Sequence, residues 1–283
     1  MSAILTDLSR SALSLAVEES EIAYWEYRAR ASHWELCAEP GMTWYRSDLP
    51  STYFNGVLRT TLTEDEADER IATTLAAFKR RGLPGTWWLG PSRMPADLGA
   101  RLKRFGLTGQ GDDPGMAVDL RALRDDVAVP AGLLVERVCD DRGVREWLRA
   151  WRLGNELDAA DVATLSLDRL APASYDAGES FRFYVARLGG EPVAVSQLLL
   201  AAGVAGIYNV ATVPEARRKG IGAAVTLAPL REARAEGYRA GVLGASALGF
   251  PMYRRLGFQR VCMLSMYTWT GGVMGEYAAT DTG

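Results

Sequence analysis

The chain has 283 residues, of which 48% are hydrophobic and 24% charged, a profile that suits one large or two medium globular domains. A net charge of −3 and an isoelectric point near 5.5 argue against a general nucleic-acid binder. No apolar run reaches the roughly 20 residues of a spanning helix, so no membrane partner is expected.

The opening, MSAILTDLSRSALSLAVEES, has no basic n-region leading into an unbroken apolar stretch, and a cytoplasmic protein is expected. Cys37, Cys139 and Cys262 form no close pair and no metal-ligand spacing, so neither a disulfide framework nor a metal site is expected. They read as buried small hydrophobes. His33 is the only histidine and reads as structural or solvated in preference to catalytic. HWELCAEPGMTWY and the pair Trp87 and Trp88 read as core aromatics, with an aromatic acceptor pocket as the alternative. From Leu58, LRTTLTEDEADERIATTLAAFKRRGLPGTWWLGPSRMPADLGARLKRFGL reads as strand, helix, strand, helix. RDDVAVPAG then reads as a linker, which divides the chain into domains 1–125 and 131–283.

Beyond the linker, LLVERV reads as a strand and DDRGVREWLRAWRLGNEL as a helix with an Asp at its N-cap. Three short strands follow, Phe181 to Arg187, Pro192 to Leu200 and Val204 to Val213, parted by the turn signals LGGE and AAG. ARRKGIGAAVTLAPLREARAEG reads as a helix starting close to Arg217 and ending at Gly237. AGVLGA, FPMYRRLG and RVCMLSMYTW complete the series as strand, helix, strand. The fold class is α+β, a mixed and mainly antiparallel sheet with flanking helices.

VATVPEARRKGIGAAV carries the densest chemistry. Gly220 and Gly222 let a ligand approach the backbone, and the first N–H groups of the helix that follows are free to bind an anion. Arg217, Arg218 and Lys219 add positive charge at the same point, and between Pro214 and Arg260 nine Lys or Arg stand against three Glu. A tight turn with a solvated basic face would look the same in isolation. The pattern is neither a Walker loop nor a Rossmann fingerprint. Downstream, a second strand leads into ALGFPMYRRLGF.

Together these two blocks resemble the GNAT superfamily of N-acetyltransferases, on the motif [QR]-x-x-G-x-[GA] at Arg217, Gly220 and Gly222 and on Tyr253, Gly257 and Phe258. Ser246 stands where the family often has Asn. The resemblance covers residues 131–270 closely, while the N-terminal half is similar in element order only, which makes a tandem of GNAT-like domains with a degenerate first copy. It implies splayed central strands, acetyl-CoA as cofactor and a small-molecule amine as acceptor. Pantetheine would pair with the backbone of Val210, Ala211 and Thr212, and the pyrophosphate would lie on the turn from Arg217 through Ile221 to Ala223. Tyr253 is implied as the general acid: a phenol of pKa near 10 stays protonated at neutral pH. Tyr208 and Asn209 are candidates for positioning the acceptor. Ser196 or Gln197, but not both, can face the same cleft, since alternate strand residues point to opposite faces. Glu215 reads as a solvated or capping carboxylate. Competing functions are a non-catalytic coenzyme A-binding regulator, a mycothiol-synthase-like tandem acyltransferase and a Fem-like tRNA-dependent transferase, the last disfavoured by the acidic pI.

An internal offset of 151 residues sets Leu107 on Phe258 and Leu62 on Val213. At that offset Arg217, Gly220 and Gly222 fall on Glu66, Glu69 and Ile71. The first copy is therefore expected to bind no cofactor.

Overall fold

A computed structural model describes residues 3–157 and 179–270. The chain forms two compact units, each drawing on distant parts of the sequence: Met1–Tyr24 with Pro114–Val261, and Trp25–Asp113 with Cys262–Gly283. This differs from the linear division expected at residues 125–131, because two long strands and one helix pass from one unit into the other. They are helix α1 (Arg10–Ala31), strand β5 (Thr108–Asp119) and strand β11 (Gln259–Trp269).

In the second unit the sheet runs β1 (Glu35–Glu39), β2 (Met42–Arg46), β3 (Asn55–Thr60), β4 (Gly85–Leu89) and then β11. All pairs are antiparallel except β3 with β4. Helix α2 (Glu64–Lys79) starts in a capping box, in which Thr63 Oγ1 accepts from Glu66 N–H and the Glu66 carboxylate accepts from Thr63 N–H. Ala67, Ile71, Leu75 and Phe78 recur at four- and three-residue spacing along it and face Trp87, Trp269 and Leu102 of the short helix α3 (Leu98–Arg104). Trp87 is fully buried with its indole N–H on Thr60 Oγ1, and Trp88 points to the opposite face, 6.0 Å from Trp25. The sequence expectation of core aromatics holds for Trp87.

In the first unit the order is β5, β10 (Ala240–Gly244), β9 (Val204–Thr212), β8 (Glu191–Ala201), β7 (Phe181–Leu188) and β6 (Leu133–Arg137). Antiparallel pairing is broken only by the parallel pair β9 with β10. The strand closing this sheet against β10 is thus β5, and the final strand of the sequence, read above as closing the C-terminal domain, lies from Cys262 onward in the other unit. Strand β8 is buried on both faces, which is why it reads as an unbroken apolar run.

Helix α4 (Asp141–Gly154) covers one face of that sheet. Its N-cap Asp140 accepts from Gly143 N–H at 2.7 Å, and Trp147 packs edge-on against Phe183. Helix α5 (Ile221–Ala235) covers the other, where Tyr184 Oη donates to Glu232 at 2.6 Å and the buried Arg182 bridges Glu232 and Glu236. Pro229 sits inside α5 and has no N–H for the carbonyl of Val225. Ser196 Oγ, reaching up from β8, donates to that carbonyl at 2.7 Å and replaces the missing bond. Helix α6 (Phe250–Leu256) follows β10.

Candidate functional site

Strands β9 and β10 pair only at Gly241 with Ala205 and Val242 with Gly206, after which their registers part. The edge of β9 that faces β10 is therefore open from Ile207 to Thr212, a stretch that includes Val210, Ala211 and Thr212. The cause lies partly in a bulge. Val195 opposes Ala211 and Gln197 opposes Tyr208, so Ser196 alone stands against both Asn209 and Val210. Asn209 takes φ of 51°, a left-handed conformation that Asn tolerates better than most residues.

The Asn209 side chain is held on three sides. Its Oδ1 accepts from Trp151 Nε1 at 3.2 Å, and its Nδ2 donates to Tyr24 Oη at 2.8 Å and to Gln197 Oε1 at 2.6 Å. An indole N–H can only donate, so Trp151 fixes the Asn209 amide and Asn209 in turn fixes that of Gln197. Gln197 Nε2 is consequently turned away from them, buried and without a partner among the described residues. Beside this set, Tyr208 stacks on Tyr24 at 4.2 Å and bonds Ser20 Oγ at 2.7 Å. Burial, with a smaller contribution from the charge of Glu21, raises the Tyr208 phenol well above its ordinary pKa. Of the two alternating β8 residues, Gln197 faces this cluster and Ser196 faces α5, as the strand period requires.

Past Thr212 the chain makes a short 3-10 turn at Pro214–Ala216 and enters α5 at Ile221. The helix starts later than the expected point near Arg217 because Arg218 and Gly220 adopt φ of 62° and 78°, which no helix can include. Gly220 is the N-cap and offers no side chain, so no N-cap side chain takes the first N–H groups of α5. A Cβ at Gly220 would stand 2.1 Å from the Ala128 carbonyl, so the chain itself demands glycine there. A Cβ at Gly222 would meet only Met252 Sδ and Thr212 Oγ1, both at 3.3 Å. The turn's cations divide their tasks. Arg217 donates to the carbonyls of Thr212 and Gly154 and pairs with Glu156, which ties the turn to the end of α4. Lys219 donates to the Glu215 carbonyl, and both Lys219 and Arg218 are exposed.

Ser246 bridges β10 and α6, its Oγ and carbonyl accepting from Gly249 N–H and the carbonyl also from Phe250 N–H. Tyr253, on α6, is 6% exposed and packs on Phe258 at 5.9 Å. Its hydroxyl makes no hydrogen bond among the described residues, and burial alone raises its pKa above the ordinary value of 10. Met252, next to it, is the residue that lies over Gly222.

Ser20, Tyr24 and Trp151 were not singled out by sequence reasoning. They lie 58 to 188 residues from their β9 partners, and no local pattern marks them. The cysteines depart from expectation: Cys139 is exposed and Cys37 and Cys262 are half-buried, and none forms a disulfide among the described residues. His33 is exposed and belongs to the second unit, whereas the β9 turn belongs to the first. Among the described residues no group of His, Cys, Asp and Glu could hold a metal ion, and no helix is long and apolar enough to cross a membrane.

In this α+β domain two parallel strands part beside a bulge, and the chain runs on through a glycine turn to the start of a helix. Residues 117–250 match the family model described as an acetyltransferase (GNAT) domain. Solved structures share the fold. A GCN5-related N-acetyltransferase from Kribbella flavida aligns with a TM-score of 0.69 and 19% identity, over 91% of this chain and 97% of its own. A functionally unknown conserved protein from Staphylococcus epidermidis gives 0.63 and 13%, over 84% and 94%. A tandem GNAT protein from the clavulanic acid biosynthesis pathway, solved without AcCoA, gives 0.56 and 16%, over 96% and 99%. No curated protein matches the chain.

Proposed function

We propose that the first unit is an acetyl-CoA-dependent N-acetyltransferase that acts on a small-molecule amine by direct transfer, with Tyr253 as general acid. The observation that carries this reading is the open edge of β9 leading, through the turn from Pro214 to Gly220, to the start of α5, whose N-cap glycine offers no side chain. Such an edge accepts an extended ligand as an added strand, and such a helix end accepts a pyrophosphate. The cofactor supplies an activated acetyl thioester when bound. The backbone of Val210, Ala211 and Thr212 would hold its amide arm, and the N–H groups of Ile221, Gly222 and Ala223, with the exposed Arg218 and Lys219, would hold its phosphates. Arg217 shapes the turn through its bonds to Thr212 and Gly154, and Ser246 fixes the start of α6.

The chain's own contribution to chemistry is placement and one proton. Tyr253 keeps its hydroxyl proton because burial disfavours the phenolate, and with no protein partner that proton is free to be donated to a leaving thiolate. Tyr208 and Asn209, braced by Tyr24, Ser20 and Trp151, would position the acceptor amine next to the bulge. The second unit is assigned as a degenerate GNAT-like domain without a cofactor.

Gly222→Glu tests the site. It places bulk and negative charge at the first turn of α5, where the only near neighbours are a flexible Met252 side chain and Thr212. Calorimetry is expected to show loss of acetyl-CoA binding with the circular dichroism spectrum unchanged. Wild-type affinity in the folded variant refutes the assignment.

A further inference from the structure

The second unit contains a buried cation for which the described residues show no ion-pair partner. Arg28, near the end of α1, is 2% exposed, its Nε and Nη2 have no hydrogen-bond partner, and no carboxylate pairs with it among the described residues. Two indole N–H groups in the same unit are also buried and unpartnered, those of Trp34 and Trp88. An aromatic array joins these elements: Trp25 stacks on Tyr45 at 5.2 Å, Tyr45 stacks on Trp34 at 6.0 Å, and Trp25 lies 6.0 Å from Trp88. Arg28 follows Trp25 by three residues and so leaves α1 on the same side.

Every unsatisfied group in this set is a donor. A guanidinium stays protonated at any working pH, and a buried charge without a partner is strongly unfavourable, so the set calls for an acceptor that carries negative charge. Nε and one Nη form the edge of the guanidinium that takes a carboxylate through two parallel bonds. One fixed positive charge matches a monoanion, and stacked rings match a flat apolar body. We propose that the second unit binds a small carboxylate with a planar apolar body, its carboxylate seated on the Nε and Nη2 edge of Arg28. This site is independent of the acyl-transfer reading.

The test uses the full chain, with sodium benzoate as probe, benzamide as its neutral counterpart and inorganic phosphate as a second anion, all at constant ionic strength. Benzoate is expected to raise the unfolding temperature of the wild type by about 2–4 °C near saturation, and benzamide and phosphate to leave it unchanged. Arg28→Met keeps the apolar stem and removes the charge, so it should show no benzoate shift and be no less stable than the wild type without benzoate. Arg28→Lys keeps the charge but not the fork, and should lose most of the shift. Equal benzoate shifts in wild type and Arg28→Met, or no shift at tens of millimolar, would overturn the proposal. So would a response to phosphate but not benzoate, or a loss of several degrees in benzoate-free Arg28→Met, which would reveal a structural partner for the cation.

Discussion

Tyr253 is placed by the same burial that tunes it. A phenol pushed above its ordinary pKa by desolvation is a weaker acid, yet it holds its proton throughout the neutral range. In the proposed general-acid role the active form is the protonated one, so activity is expected to fall only as pH rises through the raised folded pKa. The basic limb of kcat attributable to this group should therefore lie above pH 10. Stability follows the same sign: the contribution is intact below the unfolded value of about 10 and is lost as pH rises beyond it. Tyr253→Phe should lower kcat by about a hundredfold or more while leaving acetyl-CoA affinity nearly unchanged, because the hydroxyl acts in the transition state. A fall of less than about threefold in single-turnover kinetics, where the chemical step is observed directly, would remove Tyr253 from that role. At this scale the sequence was legible where a residue's job is local. Gly220, for one, stands in a short motif at the turn that needs its positive φ. Asn209 was visible as a strand residue but not as the strained member of a bulge, since that depends on register against β8. Arg217 was visible as a cation at a turn, and its anchoring to Gly154 was not, because α4 reaches it only in the folded chain.

Among the elements, α5 shows how a local rule is satisfied from outside. A proline inside a helix leaves the carbonyl four residues earlier without its donor, and here β8 provides one through Ser196. Ser196→Ala should leave the Val225 carbonyl buried and unpaired and destabilise the protein by about 1–3 kcal/mol, read as a lower urea midpoint at unchanged slope. A change within a few tenths of a kcal/mol would show that the hydroxyl is not needed. Most elements of the first unit could be read from period and turn signals: Gly189, Gly190, Gly203 and Gly237 all take the positive φ expected of their turns. Helix α1 could not. Its buried face mixes Ala16, Val17 and Trp25 with Glu18, Ser20 and Arg28, so no apolar stripe marks it. The repeat offset was informative at the ends of the strands and misleading between them. It set Glu66, Glu69 and Ile71 on the phosphate turn, but all three lie within α2, where Glu66 caps and Ile71 packs.

At the scale of the molecule, neither unit is a continuous stretch of sequence, because β5 completes one sheet and β11 the other. Nothing in a strand's own residues states which sheet it joins, and for that reason the linear division at residues 125–131 looked natural. A fragment of residues 131–283 would leave β10 without its antiparallel neighbour from Gly115 to Asp119 and is expected to show no cooperative unfolding transition. A fragment that unfolds cooperatively and binds acetyl-CoA would show β5 to be dispensable. The two units also differ in how a strand hands over to the helix behind it, and under the proposed function that difference would set cofactor number. In the first, an extended turn with two left-handed residues delivers a helix start that no side chain caps. In the second, β3 ends at Thr60 and α2 begins at Glu64, with its first N–H groups engaged by the capping box and Glu64, Asp65 and Glu66 in its first turn. There is no glycine turn to admit a phosphate, and the carboxylates would repel one. Titration of the full chain with acetyl-CoA by calorimetry is therefore expected to give one site per chain, abolished by Gly222→Glu. A stoichiometry near two would mean that the second unit binds the cofactor by a route that uses neither a glycine turn nor a free helix end.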